Sequence, residues 1–198
     1  MLYQITGEGR KMCGRLSQYR GIHDFVDTLS MPGVWRNNIG DQALERYNVA
    51  PSTQVAVLRM DDAGPRADLV RWGWRPHWAT DRAAPINARV EKVAHGPFFR
   101  AIWPHRAITP IDGWYEWVDE GGPKKQPYYI RRRDGLPALC ASIGQFTGAS
   151  MTASSSSPPT PRAAWLTCTI GGQSCWLQGQ PGRGSIQPSS QSTPNRWP

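Results

Sequence analysis

No stretch of eighteen apolar residues occurs in this chain, which excludes an ordinary membrane-spanning helix. The first eleven residues also lack the apolar core of a secretory signal peptide. Cysteine is scarce. Cys13, Cys140, Cys168 and Cys175 include no Cys-x-x-Cys pair and are too sparse for a disulfide framework or a structural zinc site. His23, His77, His95 and His105 show no metal-ligand spacing, so surface or capping positions are expected for them. Neither a Gly-rich phosphate loop nor an internal repeat is present. The expectation is a soluble cytoplasmic protein with no cofactor, no metal and no membrane partner.

What is present is basic charge and tryptophan. The 198 residues fit one domain of ordinary size. Lys and Arg outnumber Asp and Glu by 23 to 15, for a net charge of +8, which favours a polyanionic partner such as nucleic acid. Trp72, Trp74, Trp78, Trp103, Trp114 and Trp117 are interleaved with Arg71, Arg75, Arg82, Arg89, Arg100 and Arg106. Aromatic faces stack on unpaired bases while guanidinium groups hold phosphates, so the mixture suits single-stranded nucleic acid. The plainer reading is that most of these rings are core, since large aromatics dominate core energetics.

Composition changes near Gly148. Before it, apolar runs alternate with turn residues; after it come "SSSSPP", "GQPGRG" and "QPSSQSTP", a composition that predicts disorder. Ile22, Phe25, Val26 and Leu29 have the spacing of an amphipathic helix. "QVAVLRM", "ADLVRWGW", "RAITPI", "QPYYIRR" and "ALCASIGQF" read as strands. A helix broken at Gly96-Pro97 is expected within "ARVEKVAHGPFFRAIW". The predicted class is α+β, with a mixed, largely antiparallel sheet, short helices and an irregular C-terminal tail.

Two short segments carry candidate chemistry. "PINARVE" puts Asn87 and Arg89 on one side of an extended chain, with Glu91 beyond. "DGWYEW" places Glu116 between Tyr115 and Trp117, where aromatic neighbours would desolvate the carboxyl group and raise its pKa toward that of a neutral-pH general acid. A solvated or salt-bridged strand residue is the plainer reading of Glu116. Cys140 is expected to be a buried, inert thiol.

"MCGR", "RYNVAPSTQV", "VRWGWRPHW", "PINARVE", "RAITPIDGWYEW" and "KKQPYYI" follow one another in an order and spacing that resemble the SRAP family, the SOS response-associated peptidase fold that shields abasic sites in single-stranded DNA. The resemblance runs from Met12 to about Gly148. It implies that the cysteine following the initiator methionine, here Cys13, becomes the first residue of the mature protein. Its α-amine and thiol would then condense with the aldehyde of a ring-opened abasic sugar to form a thiazolidine crosslink. By the same resemblance Asn87 orients the cysteine and sugar, and Glu116 shuttles protons. Arg15 and Arg89 hold phosphates, and Trp72 and Trp117 pack near the nucleotide that lacks its base. Cys13 would also be the nucleophile that removes leader residues. The implied partner is single-stranded DNA containing abasic sites, engaged by a monomer in a bacterial, nucleoid-associated setting.

An α-amine with pKa about 8 is partly neutral at cytoplasmic pH and can attack an aldehyde. A peptide-bonded nitrogen cannot. Residues 1–11 are therefore expected to be a spurious or cleaved extension, with Met12 the start. "GEGRK" can be encoded entirely in purines, as a bacterial ribosome-binding tract ahead of ATG would be.

The resemblance also implies a histidine, in a motif close to His-Asp-Arg-Arg-Pro, beyond the strand ending near Phe146. It is missing from residues 149–198. If the serines use TCN codons and each codon is formed from the third base of one residue and the first two of the next, the serine run at 154–157 becomes NTC codons, which encode Phe, Leu, Ile or Val. From Cys168 onward the same shift permits His-Asp-Arg-Arg-Pro-Val-Val-Leu. The expected organisation is a spurious extension at 1–11, an incomplete SRAP domain at 12–148 and an out-of-frame, disordered tail at 149–198, in a chain possessing little or no activity. Two rival functions are a non-catalytic single-stranded nucleic-acid-binding module, favoured by a blocked amino terminus, and a cysteine peptidase pairing Cys13 with a histidine.

Overall fold

The computed structural model describes residues 14–31, 33–81, 83–146, 164–170 and 173–174. In chain order the elements are β1 (Leu16–Gln18), α1 (Ile22–Leu29), β2 (Arg36–Asn37), β3 (Arg46–Val49), β4 (Gln54–Asp61), β5 (Gly64–Trp72), β6 (Asn87–Arg89), α2 (Val90–His95), β7 (Arg106–Ile111), β8 (Gly113–Val118), β9 (Gln126–Ile130), β10 (Ala138–Gln145), β11 (Ala164–Ile170) and β12 (Gln173–Ser174). They form a four-stranded sheet of order β3-β1-β8-β9, antiparallel throughout. A second, mixed sheet has the order β12-β11-β10-β7-β4-β5-β2, and β6 pairs in parallel with β11. This is the α+β class that the patterning predicts.

Each of the five predicted strands is present, as β4, β5, β7, β9 and β10. β4 is apolar on both faces because both are covered. Val55 and Val57 pack with Leu16, Val49 and Trp114 in the core shared by the two sheets. Ala56 and Leu58 pack under Ile22 and Phe25 of α1. The helix thus buries the stripe expected of it, with Asp24 suited to the positive end of its dipole. α2 ends at Gly96, as the Gly96-Pro97 pair predicts.

Gln18 joins the sheets. Fully buried, its amide donates to the Ala56 carbonyl at 2.9 Å and the Pro110 carbonyl at 2.7 Å, and accepts from the Ala56 N–H at 2.9 Å. Every bond runs from β1 to β4 or β7.

One expectation needs correction. Residues 149–198 were expected to be irregular throughout, yet Ala164–Ile170 form a strand pairing with β10, β6 and the end of β5. "AWLTCTI" is rich in apolar and β-branched residues, a strand signal hidden by its Ser-, Pro- and Gly-rich flanks. Apart from Gln173–Ser174 of β12, the rest of that tail, like residues 1–13, lies outside the described residues.

Candidate functional site

The β1–β8 ladder sets the geometry. Leu16 pairs with Trp114 and Ser17 with Gly113, and the Tyr115 N–H donates to the Arg15 carbonyl at 3.0 Å. Extending this antiparallel register by one residue puts Gly14 opposite Glu116. Cys13 is bonded to Gly14 and itself lies outside the described residues. Arg15 is half-buried, and its Nη1 donates to Asn48 Oδ1 at 3.2 Å.

Glu116 is half-buried on β8, but its aromatic surroundings differ from those expected. Side chains alternate along a strand, so Tyr115 and Trp117 point to the face opposite Glu116. Tyr128 stands directly across from Glu116 on β9. Trp114, two residues back, shares its face. Glu116 therefore shares its face with Trp114 and Tyr128 and not with its neighbours in sequence.

The tryptophans divide by burial. Trp72 is 1% exposed within the shared core, and its Nε1–H donates to the Ile86 carbonyl at 3.0 Å. This corrects the expectation that Trp72 packs near a nucleotide: its ring fills the core. Trp117, at 44% exposed, and Trp78, at 60%, present rings to solvent.

Asn87 and Arg89 lie on β6, with Ala88 buried between them. Asn87 is half-buried and Arg89 exposed, as an extended segment requires. Two bonds fix the approach to β6: the Pro85 carbonyl accepts the Trp74 N–H at 3.0 Å, and Ile86 accepts the Trp72 indole. Ile86 packs on the cluster that contains Trp114. Asn87 and Glu116 thus each stand within two residues of the same core, on strands of different sheets.

Sequence reasoning missed a group of residues on the other face of the four-stranded sheet. Tyr129 lies over β8 because Gly113 has no side chain; a Cβ there would come within 2.5 Å of the Tyr129 Cζ and hydroxyl. The hydroxyl meets Ser17 Oγ at 2.6 Å, and burial pushes its pKa up to about 12. "DGW" signals a turn or a close approach, but not which ring crosses the glycine. Among the described residues no helix is long and apolar enough to cross a membrane, and no group of His, Cys, Asp or Glu is placed to hold a metal ion.

Fold and sequence together define a class: an α+β protein of two sheets, with a Cys-Gly-Arg segment leading into a strand beside a half-buried carboxylate. The family model described as SOS response associated peptidase (SRAP) matches residues 12–171, and the chain belongs to this family. It is similar to the abasic site processing protein YedK of Escherichia coli (strain K12), 42% identical over 134 residues that make up 67% of this chain and 60% of that protein. The abasic site processing protein YoaM of Bacillus subtilis (strain 168) is 32% identical over 139 residues, 68% of this chain and 59% of the relative. The chain thus spans about 60% of the length of these curated relatives. Among solved structures, a phage-related protein from Bordetella bronchiseptica superposes with a TM-score of 0.59 at 26% identity, covering 80% of this chain and 69% of that one. A Bacteroides thetaiotaomicron protein, 21% identical, shares the fold with a TM-score of 0.57 over 80% of this chain and 68% of its own.

Proposed function

We propose that this chain processes abasic sites in DNA, binding the single strand and trapping the sugar aldehyde covalently through Cys13. The observation carrying this reading is the β1–β8 register, which sets Gly14, the residue that follows Cys13 in the chain, opposite Glu116 in a chain of the SRAP family.

Once Cys13 is amino-terminal, its neutral α-amine attacks the aldehyde carbon of the ring-opened sugar. Glu116 delivers a proton to the departing oxygen, which leaves as water, and an imine remains. The thiolate then adds to the imine carbon, the nitrogen takes up a proton, and the five-membered thiazolidine closes. The net reaction joins protein and DNA with loss of one water. Asn87 orients amine and sugar; Arg15 and Arg89 hold flanking phosphates; Trp117 packs beside the nucleotide that lacks its base. The same cysteine serves in autoproteolytic removal of leader residues. Where residues 1–12 stay attached, the amine is locked in a peptide bond, and the surface acts as a non-catalytic module that binds single strands.

The test is incubation of protein expressed from Met12 with the downstream frame restored, and with methionine removal verified by mass, with single-stranded DNA carrying one abasic site. A heat-stable band on a denaturing gel is expected, and none from the intact Met1 form. Equal crosslinking by the mass-verified Met1 form would overturn the aminothiol mechanism.

A further inference from the structure

The outer face of the four-stranded sheet carries aromatic rings that the proposed chemistry does not use. A β-bulge makes this face. Leu16 pairs with Val49 but Gln18 with Arg46, so Tyr47 and Asn48 together oppose the single residue Ser17. Bulges of this kind interrupt the ladder and re-aim side chains. Here Tyr47 is turned outward and left 55% exposed. Its ring stacks on Tyr19, with centroids 5.4 Å apart and planes 16° from parallel. The Tyr115 hydroxyl donates to the Tyr47 carbonyl at 3.1 Å, and the Tyr115 ring lies 5.0 Å from that of Tyr129. Two ring pairs, Tyr19–Tyr47 and Tyr115–Tyr129, thus form a tier from β3 to β9, joined by the Tyr115 hydroxyl.

Positive charge borders the tier. The Arg20 guanidinium lies 5.9 Å from the Tyr19 ring, pairs through Nε with Asp112 at 2.7 Å, and donates through Nη2 to the Gly135 carbonyl. That last bond ties the turn after β9 to the Tyr19 end of β1. Within this turn Arg132 is held by Asp134, with bonds of 3.0 and 2.6 Å. Arg131 and Arg133 are exposed and make no ion pair or side-chain hydrogen bond among the described residues. Glu45, just before β3, opposes part of this charge, and the balance is positive.

We infer that this surface binds the nucleotides flanking the abasic site, with a base stacked on Tyr47 and phosphates held by Arg131 and Arg133. The occupant is single-stranded DNA, because a tyrosine face can stack only on a base freed from its partner, while guanidinium groups complement the phosphates. The inference rests on the DNA-processing reading and extends it from the sugar to its neighbours along the strand.

The experiment measures binding of dye-labelled oligonucleotides without an abasic site to the full chain, one of about 4 and one of about 16 nucleotides, the range spanned by small single-strand sites. The parent should bind the longer strand more tightly. Tyr47→Ala should weaken that binding roughly fivefold or more, the loss of one base stack, and Tyr47→Trp should restore it. The double substitution Arg131→Ser with Arg133→Ser should weaken it too, and flatten the log–log salt slope by about 1.4, for two lost contacts at about 0.7 each. Met60→Ala, on the exposed β4–β5 hairpin, is the control, and thermal melting checks folding of every variant. If the parent binds and crosslinks DNA but the longer strand binds all variants equally, this surface is not a DNA track, though the proposed function stands. A parent dimer that Tyr47→Ala dissociates, with DNA affinity unmoved, would assign the face to a second copy and overturn the inference. A parent that binds no DNA at all would remove the proposed function itself.

Discussion

Glu116 and Tyr128 face each other across the β8–β9 ladder, on the side of the sheet opposite Tyr115 and Trp117. The carboxyl group and the exposed Trp117 ring therefore leave β8 on opposite sides, although the two residues are adjacent in the chain. The roles proposed for Glu116 in proton transfer and for Trp117 in DNA contact are therefore separable by mutation.

If Glu116 moves protons during imine formation, Glu116→Gln should slow crosslinking by about a hundredfold or more, as for a lost general acid–base. Affinity for single-stranded DNA should hold. Cys13→Ala should abolish the thiazolidine outright, leaving only a reversible adduct. Time courses on denaturing gels across neutral pH measure both. A Glu116→Gln rate equal to the parent's would leave Glu116 with a structural role.

Burial divides the tryptophans into two phenotypes. Trp72→Ala empties a core position and should cost about 3–5 kcal/mol, read as a lowered denaturation midpoint. Trp117→Ala should leave that midpoint almost unmoved and weaken DNA binding. Interchanged phenotypes would contradict the placement of the two rings.

Gln18→Leu should destabilise the chain by about 3 kcal/mol or more. It leaves the Ala56 N–H and the Ala56 and Pro110 carbonyls buried without partners. Urea unfolding of parent and variant checks this. A near-neutral effect would show that the link between the sheets is replaceable by packing alone.

Tyr129 sets an alkaline limit. Burial raises its pKa to about 12, above an ordinary tyrosine near 10. Below about 10 the phenol is protonated folded or unfolded, and its full contribution to stability is present. As pH climbs from about 10 to about 12, the unfolded phenol ionises first and that contribution is lost. Tyr129→Phe should remove this slope from the stability profile, and should remove the last-titrating phenol from the ultraviolet titration.

A change of frame between the codons for Gly144 and Ser150 is the fifth expectation. The gene should differ there from its relatives by a number of bases not divisible by three. Restoring the frame should raise both the melting temperature and the crosslinking yield. A gene in frame throughout would show that the tail is the protein's own.

The repeating patterns were legible before any fold was known. Val55 through Leu58, the α1 stripe from Ile22 to Leu29, and the break at Gly96-Pro97 each follow from local periodicity or backbone restriction, which neighbouring residues specify by themselves. The candidate residues Cys13, Asn87 and Glu116 came instead from contiguous motifs and the family resemblance those motifs carry.

Tertiary structure alone decided which segments stand opposite one another. β1, β3 and β6 are three or four residues long, too short to show a period, and they form because partners remote in sequence supply their hydrogen bonds. Trp72 and Trp117 belong to the same tryptophan-rich region, yet one fills the core and the other faces solvent. That difference depends on which sheet face is covered, a property of packing between strands. The bulge that turns Tyr47 outward arises from a mismatch in register between β1 and β3. Register is a relation between two segments, and neither segment alone encodes it.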